Sequence, residues 1–120
     1  MNGTPWGALR ALPTPGRVAF AVACLALLAG AWVFRGHVVD DAYISYRYAE
    51  HVASGLGYVF NPGEPVEGAS NLLWVLVLAG FHALGLHALP VSQVLGTLAA
   101  LATLLFQLAL SARLAGGRPS

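Results

Sequence analysis

Two long stretches of this chain carry no charged side chain, and a polar segment separates them. The first runs from Val18 to Phe34, 17 residues bracketed by Arg17 and Arg35. As a helix it would be about 26 Å long at about 1.5 Å per residue. That is slightly short of the roughly 30 Å hydrocarbon core of a bilayer. Arginines at both edges can reach the headgroups and Trp32 suits an interface, so the run predicts a membrane span over residues 18–35. Ala29-Gly30-Ala31 also matches a signal-peptide cleavage pattern, but the run is long for such a segment and further spans follow. The second stretch, Gly68 to Ala112, contains 45 residues without Asp, Glu, Lys or Arg. Pro90 divides it into two predicted spans, 72–89 and 91–112, joined by a turn around Gly85 to Pro90. Ser70 or Asn71 is placed to cap the second span. Residues 1–17, rich in Pro and Gly, form a flexible N-terminus, and residues 113–120 form a tail. The predicted fold is an all-α multi-pass membrane protein with about three transmembrane helices and an amphipathic helix in the first loop.

That loop, residues 36–71, holds all five acidic residues of the chain: Asp40, Asp41, Glu50, Glu64 and Glu67. From Asp40 to Ser54 there is no Gly or Pro, and Gly55 and Gly57 then end the helical pattern. At 100° per residue, Ala42, Tyr46, Ala49 and Ala53 form a narrow face suited to close helix packing. Tyr43, Arg47, Glu50, His51 and Ser54 form the opposite, polar face. Asp41 follows the row of Ser45, Tyr48 and Val52, whereas Asp40 projects towards Arg47. The two aspartates therefore point about 100° apart and cannot act as a close carboxylate pair. Downstream, Asn61-Pro62-Gly63 is a strong turn signal, and Glu64 to Gly68 reads as an extended return to the membrane.

Each polar feature also has a plainer reading. Asp40 fits an N-cap and Asp41 a first-turn acid favoured by the helix dipole. Arg47 and Glu50, three apart, fit a surface ion pair. His51 could join an aspartate at a metal, although no ligand spacing here is diagnostic. His82 and His87, five apart, do not share a helix face. The tyrosines at 43, 46, 48 and 58 suit either sugar stacking or a membrane interface.

Composition narrows the class further. Hydrophobic residues make up 58% and charged residues 9%, against about 25% charged in soluble domains. Lysine is absent and the net charge is +1, which excludes a basic nucleic-acid surface. The single cysteine, Cys24, lies in an apolar run and reads as packing material.

Three submotifs in order carry a resemblance to a known family. They are Asp40-Asp41-Ala42-Tyr43-Ile44-Ser45-Tyr46-Arg47-Tyr48-Ala49, then Gly55-Leu56-Gly57-Tyr58-Val59-Phe60-Asn61-Pro62-Gly63-Glu64, then Val66-Glu67-Gly68 with Ser70-Asn71-Leu72-Leu73-Trp74. Together they resemble the first loop of bacterial membrane glycosyltransferases of the GT-C architecture, which use polyprenyl-phosphate sugars as donors. The arabinofuranosyltransferases of the actinobacterial cell wall are similar in this region. Ala69 stands where an aromatic residue is expected. Family members are many-span proteins several times this length, so the chain resembles their N-terminal portion.

The resemblance implies an outer-face loop on a bacterial plasma membrane, facing an envelope glycan, lipid or protein acceptor. Asp40 and Asp41 match the acidic motif associated with activating the acceptor hydroxyl or holding a divalent metal. An acceptor hydroxyl ionises far above neutrality and needs a base as it attacks. Asp41 is the first choice for that base and Asp40 the second, since Asp41 lies off the Arg47 face. Arg47, Tyr43, Glu64, Glu67 and Asn71 are the candidate substrate-binding residues. The alternative is a small non-catalytic accessory or assembly protein that docks on a larger partner through the alanine-rich helix face. With three spans, the arginine pattern leaves orientation undecided, because Arg35 and Arg47 share a side with Arg113 and Arg118. The resemblance places the loop and the tail outside together.

Overall fold

The computed structural model describes residues 7, 9–10, 12–64, 66 and 68–116. Among these the architecture is all-helical: α1 is Thr14–Val33, α2 Asp40–Ala53, α3 Leu72–Ala83 and α4 Ala88–Gly116. No strand forms among the described residues, and the extended loop contributes a single isolated bridge between Asn61 and Glu64. The chain divides into two compact units, one made of Met1–Phe34 with Gly96–Ser120, the other of Arg35–Leu95.

In the first unit, α1 begins behind Pro13, with Pro15 in its first turn, where a missing amide costs no helical bond. It starts four residues before the expected span, and Arg17, inside its first turn, points its guanidinium back along the chain. The side chain donates to the carbonyl oxygen of Leu12 at 2.9 Å and to that of Arg10. No residue of α1 is buried. Two helical stretches, Thr14–Val33 and Ala88–Ser111, are long and apolar enough to cross a membrane. The most apolar 18 residues of each contain no buried side chain.

The expected span over 72–89 is interrupted. Its helix stops at Ala83, after 12 residues. Gly85 adopts φ +83°, a conformation other residues rarely take. Its amide donates to the His82 carbonyl at 2.9 Å, and that of Leu86 donates to the Phe81 carbonyl at 3.1 Å. This paired pattern is a Schellman motif, which closes a helix end. The break therefore falls at the Gly85 end of the expected turn. Pro90 instead lies in the first turn of α4, where its missing amide leaves no bond unmade.

The second unit is built on α2 packed against α3. Tyr48, Ala49, Val75 and Leu78 are fully buried, joined by Ala69, Ala79 and Ala88. The buried face of α2 centres on Ser45, Tyr48 and Ala49, flanked by Val52. This is rotated from the alanine-rich face that residue size alone favours, because burying the Tyr48 ring removes more apolar area than burying methyl groups. His51, expected on the polar face, is also buried, and its Nδ1 donates to the Val59 carbonyl at 2.8 Å. The end of α2 repeats the Schellman pattern, with Gly55 (φ +76°) donating to Val52 and Leu56 to His51.

Candidate functional site

The loop between α2 and α3 is held down by phenol groups. The Tyr48 hydroxyl donates to the Val66 carbonyl at 2.5 Å and accepts from the Gly68 amide at 2.8 Å. A Cβ at Gly68 would meet that oxygen at 2.8 Å, so the position admits no side chain without a shift. The Tyr58 hydroxyl donates to the Ala69 carbonyl at 2.6 Å. The rings of Tyr58 and Phe60 flank Tyr48, with centroids 4.6 and 6.1 Å away. Pro62 and Gly63, the latter at φ +87°, turn the chain so that the Glu64 amide donates to the Asn61 carbonyl at 3.1 Å. These contacts fix Phe60 against α2 and create two open grooves that share Ile44 and Phe60 as walls.

The larger groove, of about 390 Å³, runs over the exposed side of α2. It is lined by Asp40, Tyr43, Ile44, Tyr46, Arg47, Glu50 and Phe60. Asp40 and Asp41 occupy the first turn of α2, and the N-cap is Val39, with no side-chain capping bond. Neither aspartate is thus the cap, and both carboxylates are exposed where the helix dipole favours a negative charge. Among the described residues, Arg47 and Glu50 form no ion pair, so the pairing suggested by their spacing is absent and both remain on the groove wall. Tyr43 and Tyr46 meet edge to face, with centroids 5.7 Å apart at 77°. The Tyr46 hydroxyl is anchored on Ser92 at 2.6 Å, and Ser92 in turn donates to the Leu89 carbonyl. An acid, a cation and several aromatic faces thus line one solvent-facing groove, a combination that suits a polar ligand with ring faces and a negative group.

The smaller groove, of about 290 Å³, is walled by Tyr48, Asn61, Glu64, Val66 and Gly68 besides the shared pair. There the Asn61 amide donates to Glu64 at 3.1 Å. Of the residues expected from sequence, Asp40, Tyr43 and Arg47 come together in the larger groove. Asp41 does not line it; on α2 it follows the row of Ser45 and Tyr48 that faces α3. Glu64 belongs to the smaller groove. Asn71 is the N-cap of α3, but its side chain makes no capping bond and instead donates to Ser45 at 2.9 Å, tying α2 to α3. Glu67 lies outside the described residues. Glu50 and Phe60 are groove residues that the sequence reading did not select. Glu50 shares the helix face of Arg47 and could have been chosen on that ground, whereas Phe60 reaches the site only through the loop's tertiary contacts. Among the described residues no three His, Cys, Asp or Glu side chains cluster as metal ligands, and the His51 ring is committed to Val59.

No family model matches this chain, and no curated protein or solved structure matches it.

Proposed function

We propose that this chain is the loop-bearing, N-terminal portion of a GT-C-type glycosyltransferase of a bacterial plasma membrane. It would move a sugar from a polyprenyl-phosphate donor to an envelope glycan, lipid or protein acceptor on the outer face. The observation that carries this reading is the larger groove, where Asp40, Arg47 and the rings of Tyr43, Tyr46 and Phe60 line one solvent-facing wall. The groove favours Asp40 over Asp41 as the base, reversing the order suggested by distance from Arg47 along the helix. In the transfer, the acceptor oxygen bonds to the anomeric carbon and its proton passes to the Asp40 carboxylate. The bond from that carbon to the phosphate oxygen breaks, and polyprenyl phosphate leaves with the electron pair. Arg47 offers the positive charge that the leaving phosphate needs.

Sugar transfer measured in membranes from a strain expressing the complete locus tests this. Asp40→Asn is expected to lower the rate by about 100-fold or more, the usual size of a lost general base. Asp41→Asn is expected to stay within a few-fold of the parent. Unchanged transfer in both variants would remove the catalytic reading and leave the accessory protein in its place.

A further inference from the structure

We propose that α4 pairs inside the membrane with α4 of a second copy of this chain, through the face that carries Gly96, Ala100, Thr103 and Gln107. The two helices run parallel about a twofold axis. The proposal is independent of the glycosyltransferase reading.

The first argument is how α4 sorts its side chains. The stretch Ala88–Ser111 is long and apolar enough to cross a membrane, but its surface is not uniform. At about 100° per residue, Gly96, Ala99, Ala100, Thr103 and Gln107 fall within one arc of about 100°. Val94, Leu98, Leu101 and Leu105 fall on the opposite side. In lipid, helices associate through small residues that let backbones approach and through polar side chains that bond across the gap. Gly96 and Ala100, four apart, have the spacing of such a close approach.

The second argument is the side-chain amide of Gln107. It is exposed and forms no hydrogen bond among the described residues. It lies about 11 Å from the midpoint of the stretch, at about 1.5 Å per residue. That is inside the roughly 15 Å half-thickness of the hydrocarbon. An amide there has no water to bond and is costly to leave unpaired. Thr103, one turn away, donates to the Ala99 carbonyl at 2.8 Å, which leaves its hydroxyl oxygen able to accept.

The third argument identifies the partner. Among the described residues nothing covers Gly96: a Cβ placed there would meet no atom within 4 Å beyond its own helix backbone. The other stretch long enough to cross, α1, carries no hydroxyl or side-chain amide between Val18 and Val33 to answer Gln107. Copies of one chain insert in the same orientation, so each residue of α4 meets its counterpart at its own depth. A carboxylate or an ammonium would repel its copy. A glutamine side chain offers both an acceptor oxygen and two donor hydrogens, so it pairs with itself. A twofold interface requires a self-complementary patch of this kind.

The chain has no lysine, so an amine-reactive dye marks its N-terminus alone. Donor- and acceptor-labelled copies of the full chain are mixed in phosphatidylcholine vesicles, and energy transfer is followed as the protein-to-lipid ratio rises. Transfer is expected to reach a plateau and to fall when unlabelled chain is added. Gly96→Leu fits a single chain, given the open space at that position, but holds two helices apart. It is expected to weaken pairing by more than about 10-fold, and Gln107→Leu by about 3- to 30-fold. Leu98→Ala, on the opposite side, is expected to pair like the parent. Single cysteines in a Cys24→Ala background, oxidised with copper phenanthroline, give a second readout. Ala100→Cys and Gln107→Cys are expected to cross-link two copies, whereas Leu98→Cys and Leu105→Cys are not. Transfer no greater than that of randomly mixed monomers at every ratio would overturn the proposal. Pairing that survives both Gly96→Leu and Gln107→Leu would overturn it too, as would cross-links confined to the Leu98 and Leu105 side. A monomer in which Thr103→Cys forms a disulfide with its own Cys24 would give the face to α1 instead.

Discussion

Removing one oxygen atom at Tyr48 would strip two backbone groups of their partners, the Val66 carbonyl and the Gly68 amide. Val66 and Gly68 are exposed, so water can take up the freed groups and each lost hydrogen bond costs about 0.5–1.5 kcal/mol, while the ring in Tyr48→Phe would stay in the core with Val75 and Leu78. This variant is expected to retain its helical circular-dichroism signal in lipid nanodiscs, to melt at lower temperature, and to exchange the Gly68 amide faster. Gly68→Ala acts on the same joint from the other side, pressing a methyl group against the phenol oxygen 2.8 Å away. Its cost is expected to fall in the overpacking range of about 1–3 kcal/mol. If Gly68→Ala melts with the parent while Tyr48→Phe does not, the loop at Gly68 yields more freely than this geometry allows. Both residues were visible in the sequence, but a tyrosine among four in one loop gives no sign of which one is the hub. Its role depends on contacts 18 and 20 residues away.

The helices themselves illustrate which local signals are decisive. Gly55 and Gly85 both end helices in the left-handed conformation, at φ +76° and +83°. Gly55 was readable as a stop because it follows a mixed polar helix. Gly85 sits in an uninterrupted apolar run, where hydropathy masks a helix end and a proline five residues later draws the eye. Replacing it tests the assignment. Gly85→Ala is expected to destabilise the α2–α3 unit by about 1–2 kcal/mol, the cost of forcing a side chain into that region. Gly80→Ala, a helical position with nothing within 4 Å of the added methyl group, is expected to be neutral or slightly stabilising. Equal melting of the two variants would show that the turn, and so the length of α3, is not held by Gly85. The same element-level logic explains why α2 turned its tyrosine row inward. Its binary pattern allowed two faces to be buried, and the face carrying the large Tyr48 ring went inward.

At the scale of the whole molecule, tryptophans report how the units meet lipid. Trp32 lies near the end of α1 and Trp74 in the first turn of α3. In single-tryptophan variants reconstituted with brominated lipids, both are expected to be quenched more by bromines near the headgroups than by bromines at the bilayer centre. Stronger quenching of Trp74 at the centre would place the start of α3 away from the membrane interface. The sequence by itself determined the all-helical class, two of its three expected apolar spans as helices long enough to cross a membrane, and the concentration of every carboxylate in one segment. Each follows from composition and from runs long enough to need internally paired backbone. It also determined that Asp40 and Asp41 point in different directions, since a 100° step is a property of the helix alone. Tertiary structure decided which of them shares a groove with Arg47, Glu50 and Phe60, because one wall of that groove comes from a loop folded back over α2. It also decided that Asn71 ties two helices together and does not cap one. The length of α3 belongs in the same category, because it depends on a turn and on a polar neighbour. Hydropathy counts residues one at a time and registers neither.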